Sequence, residues 1–97
     1  MFTEIDTFVN HLVVERGLSA HTMAAYRNDL SSLASFLSPK NNPLFSWGSV
    51  DERSIRSFLD DLDKRGYSLS TKSRKIASAK SFFNFLKTED IVQNNLM

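Results

Sequence analysis

The chain has 97 residues, 41% of them hydrophobic and 24% charged, with no cysteine and a net charge of +1. Area scaling lets a chain of this size bury roughly 65% of its unfolded surface, enough for one domain and too little for two. Without cysteine a disulfide scaffold and a thiolate metal site are excluded, and a reducing compartment fits. Apolar runs are short, so neither a membrane span nor a secretory h-region is present. The small net charge conceals an asymmetry. From Lys64 to Thr88 seven basic residues and no acid occur, and the remaining chain is acidic. Such a distribution suits a surface that meets an anion, or a solvated basic helix face.

The first helix is expected from about Thr3 to Arg16, with Thr3 as N-cap and Gly17 as its stop. Ile5, Phe8, Val9, Leu12 and Val13 form its apolar stripe. Ser19 caps a second helix over Ala20–Leu37, whose core face reads Met23, Tyr26, Leu30, Leu33 and Leu37, with Asp29 on the flank. The connection from Ser38 to Trp47 carries Pro39 and Pro43 and is not helical. Its Leu44, Phe45 and Trp47 are expected to tuck against the bundle. A third helix begins near Asp51, capped by Ser49 or Asp51, and ends before Gly66. Ile55, Phe58, Leu59 and Leu62 face inward and Asp60, Asp61 and Asp63 outward. Ser70 is the expected N-cap of a fourth helix that reaches Thr88, with Ile76, Ala79, Phe82, Phe83 and Leu86 buried. Beyond Glu89 only Ile91 and Val92 break a polar tail. With no strand-like alternation, the fold class is all-α: a compact bundle of four to five helices, with the short links predicting two helical hairpins.

Catalytic chemistry finds little support. His11 and His21 lie on different helices without a second ligand at metal spacing. No phosphate loop, nucleophile elbow or histidine–glutamate pair occurs, and no cofactor is indicated. The acids Asp60, Asp61 and Asp63 read as a solvated face, and Tyr26 reads as core. Binding is better supported. On a helical wheel of the fourth helix, Ser70, Arg74, Ala77, Ser78 and Ser81 stand opposite the apolar side, flanked by Lys75, Lys80 and Lys87. Small residues between cations let a helix backbone approach a phosphate-lined groove, and a guanidinium fork pairs with phosphate or a guanine edge. Ser70 and Thr71 at the helix start suit a phosphate.

Leu18-Ser19, Thr22, Tyr26-Arg27 and Asp29-Leu30 follow the pattern L-S-x-x-T-x-x-x-Y-R-x-D-L of tyrosine recombinases. Ser70-Thr71 and Arg74, then Ala79, Phe82-Phe83 and Phe85-Leu86, resemble that family's second signature, S-T-x-x-R followed by an aromatic run. The two blocks cover nearly the whole chain. It is similar to the N-terminal core-binding domain, a SAM-like helical unit, of Xer-type and phage-integrase-type recombinases. The resemblance implies a half-clamp that lays its second and fourth helices against the major groove of a recombination half-site. A separate catalytic domain supplies the tyrosine nucleophile and the groups that activate the phosphate, so this chain alone is not an enzyme. Residues 1–90 would be the core-binding domain and 91–97 the start of a linker, with Asn95 where the family has proline.

The DNA-facing set carried over comprises His21, Thr22, Arg27, Asn28, Ser70, Thr71, Lys72, Arg74, Lys75, Ser78 and Lys80. Arg74 leads it, and Lys72, Lys75 and Lys80 suit phosphates better than bases. Arg27 has an alternative in pairing with Asp29 or Glu15. The implied partners are duplex DNA and other recombinase protomers, without membrane, in the cytoplasm of a bacterium or from a mobile element. The isolated domain is expected to be monomeric. The rival reading is a helical protein–protein interaction module, because fold analogy alone does not separate the two.

Overall fold

The computed structural model describes residues 2–38 and 46–97. Among them are helices α1 (Phe2–Arg16), α2 (Ala20–Leu37), α3 (Glu52–Lys64) and α4 (Leu69–Thr88), a short 3-10 turn (Trp47–Ser49) and no strand. The all-α expectation holds. Of the proline-containing connection, Leu44 and Phe45 lie outside the described residues, whereas Trp47 is buried as expected.

Helix boundaries follow local chemistry. The Ser19 side chain accepts the Thr22 N–H at 3.2 Å and donates to the Thr22 hydroxyl at 3.1 Å, which opens α2 as read from the sequence. Gly17 ends α1 with φ +61°, a left-handed conformation that suits glycine. Asp51 caps α3 through the Ser54 N–H at 2.8 Å, and that bond holds its carboxyl below the ordinary carboxylate value. Two caps differ from expectation. Thr3 lies inside α1, where its carbonyl accepts the Thr7 hydroxyl. Ser68, not Ser70, caps α4: its backbone is extended and its hydroxyl oxygen accepts the Thr71 N–H at 3.2 Å. The pattern of Ser19 and Thr22 recurs there three residues apart, down to the hydroxyl–hydroxyl bond of 3.0 Å. Ser68→Ala is therefore expected to cost about 1 kcal/mol of unfolding free energy, and Ser70→Ala a few tenths at most. Urea titration of both variants checks this, and the reverse order would restore Ser70 as the cap.

The end of α4 is built differently. The N–H of Ile91 reaches back to the Leu86 carbonyl at 2.9 Å and that of Asp90 to Lys87 at 3.1 Å. This paired return is a Schellman closure, and it places Asp90 at φ +59°. An aspartate there carries a Cβ strain that glycine escapes. Asp90→Gly is expected to raise stability by about 0.5 kcal/mol, and a thermal midpoint below that of the parent would contradict it. Beyond the closure, Val92, Leu96 and Met97 pack against the core, and the Asn95 amide donates to the Lys80 carbonyl at 3.4 Å.

One core joins the elements. Ile5, Phe8, Val9 and Leu12 of α1 meet Leu30, Leu33 and Leu37 of α2, Phe58 and Leu62 of α3, and Phe82, Phe83 and Leu86 of α4. At its centre the Trp47 ring stands edge-on to Phe82 at 4.8 Å and to Phe83 at 5.8 Å. The expected α1–α2 hairpin forms, and α2 also packs broadly against α4. The second expected hairpin is weak: α3 touches α4 less than any other packed pair of helices. Consequently the seam between α2 and α4 is a principal joint of the molecule.

Candidate nucleic-acid interface

The buried side of α4 is broader than the stripe expected from the sequence. Phe82 is buried as expected, and Phe85, Lys75 and Ser78 are buried as well. The expected polar face therefore splits. Ser78, read as exposed, turns into the seam with α2, and so does Lys75, read as a phosphate contact on the flank. Each is less than a tenth exposed. The cause lies across the seam, in Asp29. This acid, placed by the sequence on the flank, has a side chain only 1% exposed.

Four donors converge on it. Arg74 Nε and Nη2 donate to Oδ2 and Oδ1 at 3.0 and 2.9 Å, a two-pronged pairing of guanidinium and carboxylate. Lys75 Nζ reaches Oδ1 at 3.1 Å, and the Ser78 hydroxyl reaches Oδ2 at 3.4 Å. Lys75 also lies over the Tyr67 ring, 5.2 Å from its centroid. A lone carboxylate at this depth would be costly, as would a lone ammonium. Together they satisfy each other, and the hydrogen bonds that Arg74 donates to Asp29 hold its guanidinium above its ordinary value. Two cations against one anion leave the cluster positive. The Arg74 side chain remains 52% exposed, so that excess reaches the surface.

A groove of about 190 Å³ runs along the seam, and Asp29, Arg74 and Ser78 of this cluster form part of its lining. Thr22, Ala25 and Tyr26 line it from α2, and Arg74, Ala77 and Ser81 from α4. Apart from Tyr26 and Arg74 these side chains are small, so an approaching duplex would meet helix backbone at short range. His21 and Asn28 are exposed on α2, and Ser70 is exposed at the start of α4. Thr71 is half-buried and its N–H is engaged by the Ser68 cap.

The other predicted residues are placed elsewhere. Arg27 pairs with Asp6 of α1 at 3.3 Å, and neither Asp29 nor Glu15 is its partner. Lys72 is tied to Asp63 across the α3–α4 turn. Lys80 is exposed beside the tail that Asn95 fastens, away from the groove lining. Arg65 is bound to Asp61 at 2.7 Å, which raises its protonation preference further. The basic stretch is thus largely answered by carboxylates. Among the described residues, Lys64, Lys80 and Lys87 have no ion pair. No described helix is long and apolar enough to cross a membrane.

Four packed helices with no strand among the described residues make this a small all-α domain. Residues 5–90 match the model of the phage integrase N-terminal SAM-like domain, and the chain belongs to that family. It is 43% identical over 95 residues to the tyrosine recombinase XerC of Roseiflexus castenholzii, an alignment covering 98% of this chain and 30% of the relative. To the XerC of a Roseiflexus species it is 42% identical over 86 residues, with 89% and 27% covered. To the tyrosine recombinase XerD of Oceanobacillus iheyensis it is 34% identical over 91 residues, with 94% and 30% covered. The chain thus corresponds to an N-terminal domain of a tyrosine recombinase and spans less than a third of these relatives' length. No solved structure matches it.

Proposed function

We propose that this chain grips duplex DNA through the α2–α4 seam, as the core-binding half of a clamp that a separate catalytic domain completes. The observation that carries the reading is Arg74: a guanidinium paired with Asp29 through two hydrogen bonds at the mouth of a groove lined, Tyr26 and Asp29 apart, by small side chains. Family membership supports it. The relatives are named tyrosine recombinases, and a strand-exchange enzyme must hold its substrate duplex while the phosphodiester is attacked. In this reading His21, Thr22 and Asn28 of α2 and Ser70, Arg74 and Ser81 of α4 face the DNA. Lys80 touches a phosphate at the edge of the footprint. Lys75 and Ser78 serve the face from beneath. Residues 1–90 act as the gripping domain, and 91–97 lead towards the catalytic one. The tyrosine nucleophile and phosphate-activating groups belong to that domain, so the chain by itself binds and does not cleave. Partner protomers meet it only on assembled sites.

A lone half-clamp forfeits the effective-concentration gain of linkage. Affinity for duplex DNA is therefore expected in the micromolar range or weaker at physiological salt, falling linearly on a log–log plot as salt rises through counterion release. Fluorescence anisotropy with a labelled duplex at several salt concentrations tests this. Salt-insensitive binding, or none at low salt, contradicts it, and salt-insensitive association with a protein instead would favour an interaction module.

Arg74 and Lys80 should fail differently. Arg74→Ala is expected to cost about 1–3 kcal/mol on the preferred half-site if it reads a guanine, and less on a scrambled duplex. Lys80→Ala should weaken all duplexes alike and lower the salt slope by roughly one unit. Loss of discrimination on removing Lys80, with none on removing Arg74, would reverse the assignment.

A further inference from the structure

Asp29, its side chain 1% exposed, is the most heavily bonded side chain of the seam. The Arg74 fork meets it through Nε and Nη2, which consumes one edge of the planar guanidinium and fixes its plane. The opposite edge, formed by Nη1 and the remaining Nη2 hydrogen, belongs to a side chain that is half exposed at the groove. From behind, Lys75 Nζ and the Ser78 hydroxyl pin the same carboxylate, so it cannot swing with the arginine. Lys75 also offsets the charge of Asp29, so the acid does not cancel the attraction of the face for an anion.

Resting on the reading of this seam as a DNA surface, the geometry points to Asp29 as a positioning residue that acts through Arg74. It aims the outer guanidinium edge at paired acceptors on the duplex, a guanine edge or a phosphate. An arginine already held in one rotamer loses less freedom when it binds, so the gain is one of preorganisation.

The test uses the whole 97-residue chain, a duplex that it enriches from a randomised pool, and a scrambled duplex. Variants are built on Lys75→Met, so that neutralising Asp29 strands no buried ammonium. In that background Asp29→Asn is expected to weaken binding to the enriched duplex about tenfold. Added to Arg74→Ala, the same change is expected to weaken it no further, because both act through one group. A loss confined to the enriched duplex assigns the guanine edge, and an equal loss on both assigns the phosphate. The unmodified chain supplies a second readout that needs no variant to fold. Without DNA, the Arg74 Nε–H is expected to show an order parameter near that of rigid backbone, about 0.85.

Independent losses for Asp29→Asn and Arg74→Ala would overturn the positioning role. So would unchanged or tighter binding by Asp29→Asn where Arg74→Ala weakens, or a free-state Arg74 Nε order parameter below about 0.6. Each of these leaves the DNA face standing. If Arg74→Ala binds both duplexes like its parent, the assignment of Arg74 to that face fails, and the positioning role with it.

Discussion

Phe82→Ala is expected to unfold a large part of the population of this small domain. Phe82 is fully buried and stands against Trp47 at 4.8 Å, Phe8 at 5.5 Å and Phe83 at 6.1 Å. These rings belong to α1, α4 and the 3-10 turn, so no single element can move to fill the void. Truncating a phenylalanine in such a site costs about 3–5 kcal/mol, from lost transfer energy and an unfilled cavity. Domains of this size hold only about 5–15 kcal/mol in total. Urea titration should show the midpoint falling steeply with an unchanged slope. A loss under about 1 kcal/mol would mean that the core collapses around the gap.

The second large effect lies in the seam. Asp29→Ala strands the Lys75 ammonium, 7% exposed, without its carboxylate partner. Breaking one side of a buried pair costs about 3–5 kcal/mol, mostly through the uncompensated charge. Lys75→Met is a different matter. Asp29 keeps its bonds to Arg74 and Ser78, and the methionine fills much of the lysine stem's volume, so a change within about 1.5 kcal/mol is expected. In the Lys75→Met background, removing Asp29 should then cost at least about 2 kcal/mol less than in the parent. Equal costs in both backgrounds would show that the pair carries no mutual energy and that Asp29 acts through Arg74 alone.

Much of the fold was legible because helical periodicity and punctuation agree. Gly17 and Ser19 bound α1 and α2 in the sequence as they do in the structure, and the apolar stripe of α1 is the face it buries. The start of α4 was misplaced by two residues because a run of three candidate caps, Ser68, Ser70 and Thr71, offers more than one frame. The spacing already proven at Ser19 and Thr22 selects Ser68. The apolar side expected for α4, Ile76, Ala79, Phe82, Phe83 and Leu86, leaves out Phe85. Phe85 is buried in line with Phe82, Ser78 and Lys75, and this row widens the buried arc towards α2. No periodicity rule places a lysine in a core.

The signal for the Asp29 cluster was nonetheless present. Asp29 stands three residues after Tyr26 and four before Leu33, on the inward stripe of α2, and α4 offers adjacent cations at Arg74 and Lys75. An acid at core spacing requires a partner. What the sequence lacked was the pairing of the two helices, since Asp29 and Arg74 lie 45 residues apart. The same gap explains Lys72 and Arg27, whose carboxylate partners sit on other elements.

Whether DNA meets this chain at the α2–α4 seam is tested most directly by mapping backbone amide and Arg74 Nε–H resonances of the 97-residue chain during titration with a duplex at low salt. Shifts are expected to concentrate at His21, Thr22 and Ala25 of α2 and at Arg74, Ala77 and Ser81 of α4. Exposed positions on the other helices, such as Val14 and Asp60, should stay silent, and added salt should abolish the pattern. Shifts centred on α1 or α3, or none at low salt, would contradict it.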